Sequence, residues 1–192
     1  MPEFCKFLEH GLKYDNNTTN FTVSPCCFFT KSYKIDTKKD VYEQYLKHKF
    51  AWKNENFDKT CKVCIDHEKV GIESYRQASF NIVPANSKSI SMLTVAINKE
   101  CNLACPQCNS SSSSTWYREN LRNGVKELPE IVSYHTDNHK GKTTEKFVSL
   151  FEANDFSNLN YIKFGGGEPL MTETHLEVLD KVQNPANVEL QY

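Results

Sequence analysis

The sequence predicts an α/β fold, in which a parallel sheet over residues 89–192 is preceded by a small α+β metal-binding segment. In the C-terminal half, short apolar runs typical of buried strands alternate with segments of helical periodicity. This β-α-β-α-β order implies parallel strands joined by right-handed crossovers. The polar stretch 83–89 marks a change of composition, and it predicts two domains, residues 1–88 and 89–192.

Each element of the C-terminal domain is predicted from a local pattern of apolar residues. The predicted strands are residues 91–97, 159–164 and 188–191, and the predicted helices are residues 113–122, 144–153 and 173–183. The strands are short apolar runs, and the helices carry apolar residues on one face. Thr172 is the predicted cap of the last helix. In such sheets the ligand site lies at the carboxyl ends of the strands.

The N-terminal segment has the patterns of a small mixed unit. Residues 21–30 are aromatic and β-branched, which predicts a strand interrupted at Pro25. Residues 6–14 are placed to pair with that strand. Helices are predicted over residues 41–48 and 66–78, the second with Asp66 as its N-cap. Because the core of this segment is thin, a bound metal would help to stabilise it.

Composition and charge exclude several classes of protein. The 23 basic and 24 acidic residues give a net charge of −1, which argues against a broadly basic nucleic-acid-binding surface. Neither a long apolar run nor a secretory signal is visible, so we expect a cytoplasmic protein without a membrane partner. In a reducing compartment, the 8 cysteines indicate metal binding rather than disulfides.

The strongest chemical signal follows the first predicted strand of the C-terminal domain. Cys101, Cys105 and Cys108 have the spacing C-x3-C-x2-C. Three thiolates are one ligand short of a closed tetrahedral zinc site. An iron–sulfur cubane held by three cysteines leaves one iron open to a further ligand. A three-thiolate zinc site completed by histidine or water is the alternative.

A second motif follows the next predicted strand and consists of Gly165, Gly166, Gly167, Glu168 and Pro169. Glycine allows the backbone to approach a ligand closely. The carboxylate of the glutamate can accept a hydrogen bond from a cationic amine. Both motifs follow parallel strands, so we expect them at the same edge of the sheet. Taken alone, the glycine run would favour an ordinary tight turn.

Together, CNLACPQC after one strand and GGEP after the next resemble the radical S-adenosylmethionine superfamily. The resemblance implies a partial (β/α) barrel in which Cys101, Cys105 and Cys108 hold a 4Fe–4S cluster. It also implies that S-adenosylmethionine chelates the fourth iron and that residues 166–169 bind it. Reductive cleavage would release a 5′-deoxyadenosyl radical, which abstracts a hydrogen from the substrate.

The resemblance also implies partners for this chemistry. An electron donor such as flavodoxin or ferredoxin would reduce the cluster. Relatives with auxiliary clusters often modify peptides, so a peptide is the first expectation for the substrate. The chain ends at Tyr192, within its third predicted strand. Since the family's barrel continues further, we expect the N-terminal part of a longer, truncated enzyme.

The N-terminal cysteines form a second constellation, made of Cys5, Cys26, Cys27, Cys61 and Cys64. Four thiolates from this set suit either zinc or an iron–sulfur cluster. The segment resembles the twitch or SPASM auxiliary-cluster domain, which follows the barrel in the better-known radical enzymes. The resemblance implies a second iron–sulfur cluster, with one member of the adjacent pair as a ligand. Structural zinc stays open as the alternative.

Three classes of function therefore compete. The first is a radical enzyme or its N-terminal part. The second is a zinc-stapled structural or binding module without catalysis, and the third is a redox carrier that only passes electrons. The glycine–glutamate motif favours the first class, because neither alternative needs a site for a cationic amine.

A few further residues have ordinary structural interpretations. Arg76 is predicted to form a salt bridge on a helix. His135 and His139 are predicted in a solvated loop, and Trp116 and Tyr117 in the core.

Overall fold

The protein is built on one six-stranded sheet, and the computed structural model describes residues 5–17, 20–35, 41–54, 56–136 and 156–192. The strands are β1 (Gly11–Asn17), β2 (Asn20–Ser24), β3 (Tyr33–Ile35), β4 (Met92–Asn98), β5 (Tyr161–Gly166) and β6 (Glu189–Gln191). The described helices are α1 (Phe7–His10), α2 (Val41–Lys53), α3 (Phe57–Thr60), α4 (Lys62–Lys69), α5 (Tyr75–Ile82), α6 (Ser114–Arg122), α7 (Pro129–Thr136) and α8 (Thr174–Asp180), with short 3-10 turns at Pro169–Met171 and Pro185–Asn187.

The strands follow one another across the sheet in the order β3, β2, β1, β4, β5 and β6. The pairs β1–β4, β4–β5 and β5–β6 are parallel, whereas β1–β2 and β2–β3 are antiparallel. The α/β class and the parallel pairing of the three C-terminal strands are therefore confirmed. Helices α6 and α7 lie in the connection between β4 and β5, as a parallel crossover requires.

Both predicted domains contribute to this sheet. Residues 11–15 of β1 pair in register with residues 92–96 of β4. A single cluster of buried side chains contains Leu12 from the N-terminal segment together with Leu93 and Phe164 from the C-terminal one. The boundary predicted at residues 88 and 89 thus falls in the connection between α5 and β4, and the segments before and after it share one sheet and one core.

The N-terminal hairpin is confirmed in part: residues 7–10 form α1 rather than strand, β1 continues to Asn17, and among the described residues no strand follows Pro25 before β3. β2 ends at Ser24, directly before Pro25, because proline cannot donate to the ladder of a strand. β1 pairs antiparallel with β2, and Tyr14 lies opposite Val23. The chain then turns at Cys26 and Cys27 before it reaches β3.

The single helix predicted over residues 66–78 is wrong, because α4 and α5 are separate. Gly71 has a φ of 75°, a left-handed conformation that ends helices and that glycine adopts readily. Ser74 then starts α5 with a capping box. Its Oγ accepts from the Gln77 amide at 3.1 Å, and its amide donates to the Gln77 side chain at 2.8 Å. The predicted cap, Asp66, lies inside α4.

An ion pair joins these two helices and confirms the prediction for Arg76. The Arg76 guanidinium donates to both carboxylate oxygens of Glu68, with Nε at 3.0 Å from Oε1. The Ser74 hydroxyl donates to the same carboxylate. These hydrogen bonds, with the arginine as the larger cause, lower the pKa of Glu68. The pair therefore fixes the angle between α4 and α5.

Helix α7 was not predicted, and it corrects the placement of His135. The His135 ring stacks on Tyr117 with the ring centroids 4.4 Å apart, and its Nε2 lies 2.9 Å from the Ser110 carbonyl oxygen. The residue is half-buried rather than part of a solvated loop. His139 and the helix predicted over residues 144–153 lie outside the described residues.

The remaining predictions concern the last helix, the aromatic pair of α6 and the membrane. α8 is shorter than predicted, and Glu173 rather than Thr172 stands at its N-cap. Tyr117 is buried as expected, and Trp116 is half-buried. None of the helices in the described part of the chain has both the length and the hydropathy that a membrane span requires.

Candidate functional site

Both sequence motifs lie at one edge of the sheet. The cysteine loop, residues 99–108, follows β4, and the glycine run, residues 165–167, ends β5. These strands are adjacent and parallel, so their carboxyl ends meet at the same edge. The register shifts between Ala96 and Asn98, which places Asn98 opposite Gly166. Bulges of this kind often re-aim the chain beside a functional site.

Two backbone hydrogen bonds join the glycine run to the start of the cysteine loop. The Gly167 amide donates to the Asn98 carbonyl at 2.8 Å, and the Glu168 amide donates to the Glu100 carbonyl at 2.7 Å. The accepting residues stand immediately before Cys101. The two motifs therefore form one continuous backbone unit.

This contact explains why glycine occupies two positions. A Cβ on Gly166 would lie 2.1 Å from the Asn98 carbonyl oxygen, and one on Gly167 would lie 2.1 Å from that of Glu100. Gly166 also has a φ of 113°. The close approach expected for a ligand is made, at these two positions, to the chain's own backbone at the end of β4 and the start of the cysteine loop.

Helix α6 holds the cysteine loop from the other side. The buried Cys101 accepts at its carbonyl oxygen from the Thr115 hydroxyl at 2.6 Å, and its amide donates to the Ser114 hydroxyl at 3.1 Å. The Trp116 indole donates to the Cys105 carbonyl at 2.9 Å. The first turn of α6 thus positions two of the three cysteines through their backbone.

The thiols of this loop are presented with different exposure. Cys101 is buried, and its sulfur accepts from the Leu103 amide at 3.3 Å. Cys105 and Cys108 are half-buried and are linked by a turn, in which the Cys108 amide donates to the Cys105 carbonyl at 2.9 Å. The three cysteines therefore stay on one short loop at the sheet edge.

Glu168 combines a structural contact with its position at the site. Its carboxylate accepts from the Leu170 amide at 3.2 Å and caps the short 3-10 turn that begins at the buried Pro169. The side chain is half-buried. The carboxylate is therefore held next to the glycine run and the cysteine loop.

Four of the five N-terminal cysteines surround one narrow cavity, which we call the four-thiol cavity. It is lined by Cys5, Cys26, Cys61 and Cys64. Its volume is about 20 Å³, which is the space of about one water molecule. Cys27 does not line it. The structure thus distinguishes Cys26 from Cys27, whereas the sequence did not decide which of the two is the ligand.

Burial dominates the electrostatics of these thiols. It raises the pKa of Cys5 and Cys26, and it raises the pKa of Cys61 to about 11. The negative charge on a neighbouring thiolate adds to this effect, whereas the charge of Arg76, which lines the same cavity, opposes it at Cys61. Because metals bind thiolates, a metal entering here would displace protons.

All eight cysteines lie within the described residues, and each is free. In the described part of the chain, no group of three or more His, Cys, Asp or Glu side chains is arranged to hold a single metal ion.

A larger cavity opens on the face of the sheet beside the glycine run, and we call it the sheet-face cavity. Its lining includes Gly165 and Gly166 at the strand end, Lys13 and Lys163 along the strands, and Cys27. Its volume is about 670 Å³, within the range of small-molecule sites. Burial raises the pKa of Cys27, and the positive charges of the two lysines act in the opposite direction.

The polar residues of this cavity were not predicted from the sequence as site residues. Lys13, Thr94 and Lys163 each stand within a strand. The available signal was a polar residue inside an apolar strand pattern, as in MLTVAIN and YIKFGG. Only strand pairing shows that these residues are neighbours.

Comparison of the chain with protein-family models, with curated proteins and with solved structures finds no match.

Gly167→Ala should lower the free energy of unfolding by about 1–3 kcal/mol, because overpacking against a fixed carbonyl forces the backbone apart. Gly165→Ala is the matched control, since a Cβ there meets no heavy atom within 4 Å. Chemical denaturation of the two variants measures the difference. Equal stability of both would show that the two motifs are not held together as described.

Proposed function

We propose that this chain is a radical S-adenosylmethionine enzyme, or the N-terminal part of one. The observation that supports the proposal is the backbone unit formed by the two motifs. A three-cysteine loop and a Gly-Gly-Glu-Pro segment end adjacent parallel strands, and two hydrogen bonds join them. This arrangement supports the proposal because it brings three cysteines and a glutamate to one edge of the sheet.

The donor chemistry of the loop fits a 4Fe–4S cluster. Cys101, Cys105 and Cys108 supply three thiolates, which leaves one iron for S-adenosylmethionine. When bound, such a cluster supplies the electron that cleaves the sulfonium of S-adenosylmethionine reductively. The electron donor we propose is a flavodoxin or a ferredoxin.

The chain's own residues have positioning roles in this proposal. Trp116 and Thr115 hold the loop through backbone carbonyl groups. The Glu168 carboxylate binds the amino group of S-adenosylmethionine, together with backbone groups of Gly166 and Gly167. The sheet-face cavity, which begins at Gly165, receives the substrate and shields it from water.

The finer description of the fold belongs to the same proposal. We propose that the parallel strands β4, β5 and β6 with their crossover helices are the start of a (β/α) barrel. A peptide is the substrate that we propose first, because the N-terminal segment resembles auxiliary-cluster modules of peptide-modifying enzymes.

We further propose an auxiliary iron–sulfur cluster in the four-thiol cavity. Each cysteine of a cubane binds a different iron, so the sulfurs stand farther apart than around one ion. Four thiols around a common cavity supply the number of cysteine ligands that one such cluster takes. The second candidate is structural zinc. The small volume of the cavity favours it, because a cubane needs the thiols to move outward.

The first prediction of this function concerns iron. After anaerobic reconstitution, the wild-type chain should contain iron with matching acid-labile sulfide. Changing Cys101, Cys105 and Cys108 together to Ala should remove about one cubane's worth, about four irons, and leave the rest. Metal and sulfide analysis measures both. Zinc without sulfide in both proteins would refute the radical enzyme and leave the zinc-stapled module.

A second prediction concerns S-adenosylmethionine. Glu168→Gln keeps the acceptor for the Leu170 amide but removes the negative charge opposite the ligand's ammonium group. Its affinity for S-adenosylmethionine should fall about tenfold or more, as for other charge-assisted hydrogen bonds. Equilibrium binding to the reconstituted protein measures this, with iron content as the control. Unchanged affinity would refute the assignment of the glycine–glutamate motif.

The third prediction separates the adjacent cysteines. Cys26→Ala should lose the iron or zinc of the auxiliary site, whereas Cys27→Ala should keep it. Of these two cysteines, Cys26 lines the four-thiol cavity and Cys27 lines the sheet-face cavity. Metal content is measured in each variant, with the three loop cysteines intact. Loss of metal in Cys27→Ala with retention in Cys26→Ala would reverse the ligand assignment.

A further inference from the structure

A polar row crosses the middle of the sheet. Lys13 on β1 lies opposite Thr94 on β4, and Thr94 lies opposite Lys163 on β5. Residues in register on neighbouring strands share a face of the sheet. All three line the sheet-face cavity. Two lysines thus flank one threonine on the floor of this cavity.

The threonine is an unusual member of this row. Thr94 is 5% exposed, and its hydroxyl has no hydrogen-bond partner within the described structure. A buried hydroxyl without a partner costs free energy. Since the residue lines the cavity, a polar group bound there would satisfy this hydroxyl. Thr94 is one of five residues with such a buried polar atom in the described structure, and the one among them that lines this cavity.

The charges around the cavity favour an anion. Among the residues that the structure describes, the charged side chains of the lining are Lys13, Lys99, Lys163 and Glu130, which is three positive charges against one negative. The Lys99 ammonium lies over the Tyr134 ring, 4.0 Å from its centroid. The other two lysines stand two strands apart, at a backbone distance of roughly 10 Å. An anion between them would be attracted by both ammonium groups.

We propose that Lys13, Thr94 and Lys163 bind a carboxylate or phosphate group of the substrate. The hydroxyl donates to the anion, and the two ammonium groups neutralise it from either side. This proposal rests on the proposed function and names the class of its substrate as an anion.

The position of this row suits a substrate rather than S-adenosylmethionine. The next pair on the same face is Ala96 with Gly165, which lies about 7 Å further along the strands. The glycine run begins there. In the proposed function, Cys101, Cys105 and Cys108 would hold the cluster and residues 166–169 would hold S-adenosylmethionine at the sheet edge, so the row is left for a second molecule.

Cys27 provides a reporter inside the cavity. Its thiolate attacks the methylene carbon of iodoacetate or iodoacetamide, a sulfur–carbon bond forms, and iodide leaves with the electron pair. The two reagents differ in charge, so the ratio of their rates at Cys27 reports the local preference for an anion. A change in the thiolate fraction affects both reagents equally and cancels in this ratio.

The experiment uses the reconstituted full chain and peptide mass spectrometry at Cys27. Lys13→Gln and Lys163→Gln should each lower the iodoacetate-to-iodoacetamide ratio about threefold, the Coulomb factor for one charge at about 7 Å in water. Lys34→Gln on β3 is the matched control, because that lysine belongs to the same sheet but not to the cavity. Ratios equal to that of the control would overturn the proposal.

The Thr94→Val variant tests whether the threonine hydroxyl binds the anion or has only a structural role. Inorganic phosphate or succinate should slow the alkylation of Cys27 in the wild type, and this protection should decrease at least about threefold in the variant. The more protective anion distinguishes a phosphate from a carboxylate ligand. The free energy of unfolding of the Thr94→Val variant should not be lower than that of the wild type, since the substitution removes an unpaired buried hydroxyl. Lower stability with unchanged protection would overturn the proposal.

Measuring the binding of S-adenosylmethionine distinguishes a failure of the anion site from a failure of the proposed function. Phosphate or succinate should not compete with it, and competition would assign the lysines to the S-adenosylmethionine site and overturn the proposal. Iron and S-adenosylmethionine binding with no anion preference would overturn the anion site alone. An anion preference without iron or S-adenosylmethionine binding would overturn the proposed function, and with it the assignment of the anion as its substrate.

Discussion

The candidate site depends on the contact between two backbone segments at the carboxyl edge of the sheet. The amides of Gly167 and Glu168 donate to the carbonyl groups of Asn98 and Glu100, respectively. Neither Gly166 nor Gly167 has room for a side chain. The contact requires β4 and β5 to be parallel and adjacent, since only then do both motifs leave the sheet at the same edge. It brings a cysteine loop and a glutamate together at one place.

The turn after β2 connects the two cavities. Cys26 lines the four-thiol cavity and Cys27 lines the sheet-face cavity, although they are neighbours in the chain. Consecutive side chains in an extended or turning segment point in different directions, which makes this division possible. Two neighbouring residues thus connect the four-thiol cavity with the sheet-face cavity.

Local pattern was sufficient for much of the fold. The strands β4 and β5, the helix α6 and the break at Pro25 were predicted because hydrophobic period and proline act over a few residues. Other elements depended on finer signals. The division between α4 and α5 rests on the conformation of Gly71 and the capping box at Ser74. Helix α7 carries no buried residue, so its pattern was weak.

The sequence by itself determined the class of the fold, the cysteine spacing and the placement of both motifs after parallel strands, because these depend on short-range patterns and strand order. Only the tertiary structure decided which cysteines share a cavity, because Cys5, Cys26 and Cys61 are far apart in the chain and meet through packing alone. It also decided that Lys13 and Lys163 face Thr94, since register between distant strands is set by the whole sheet.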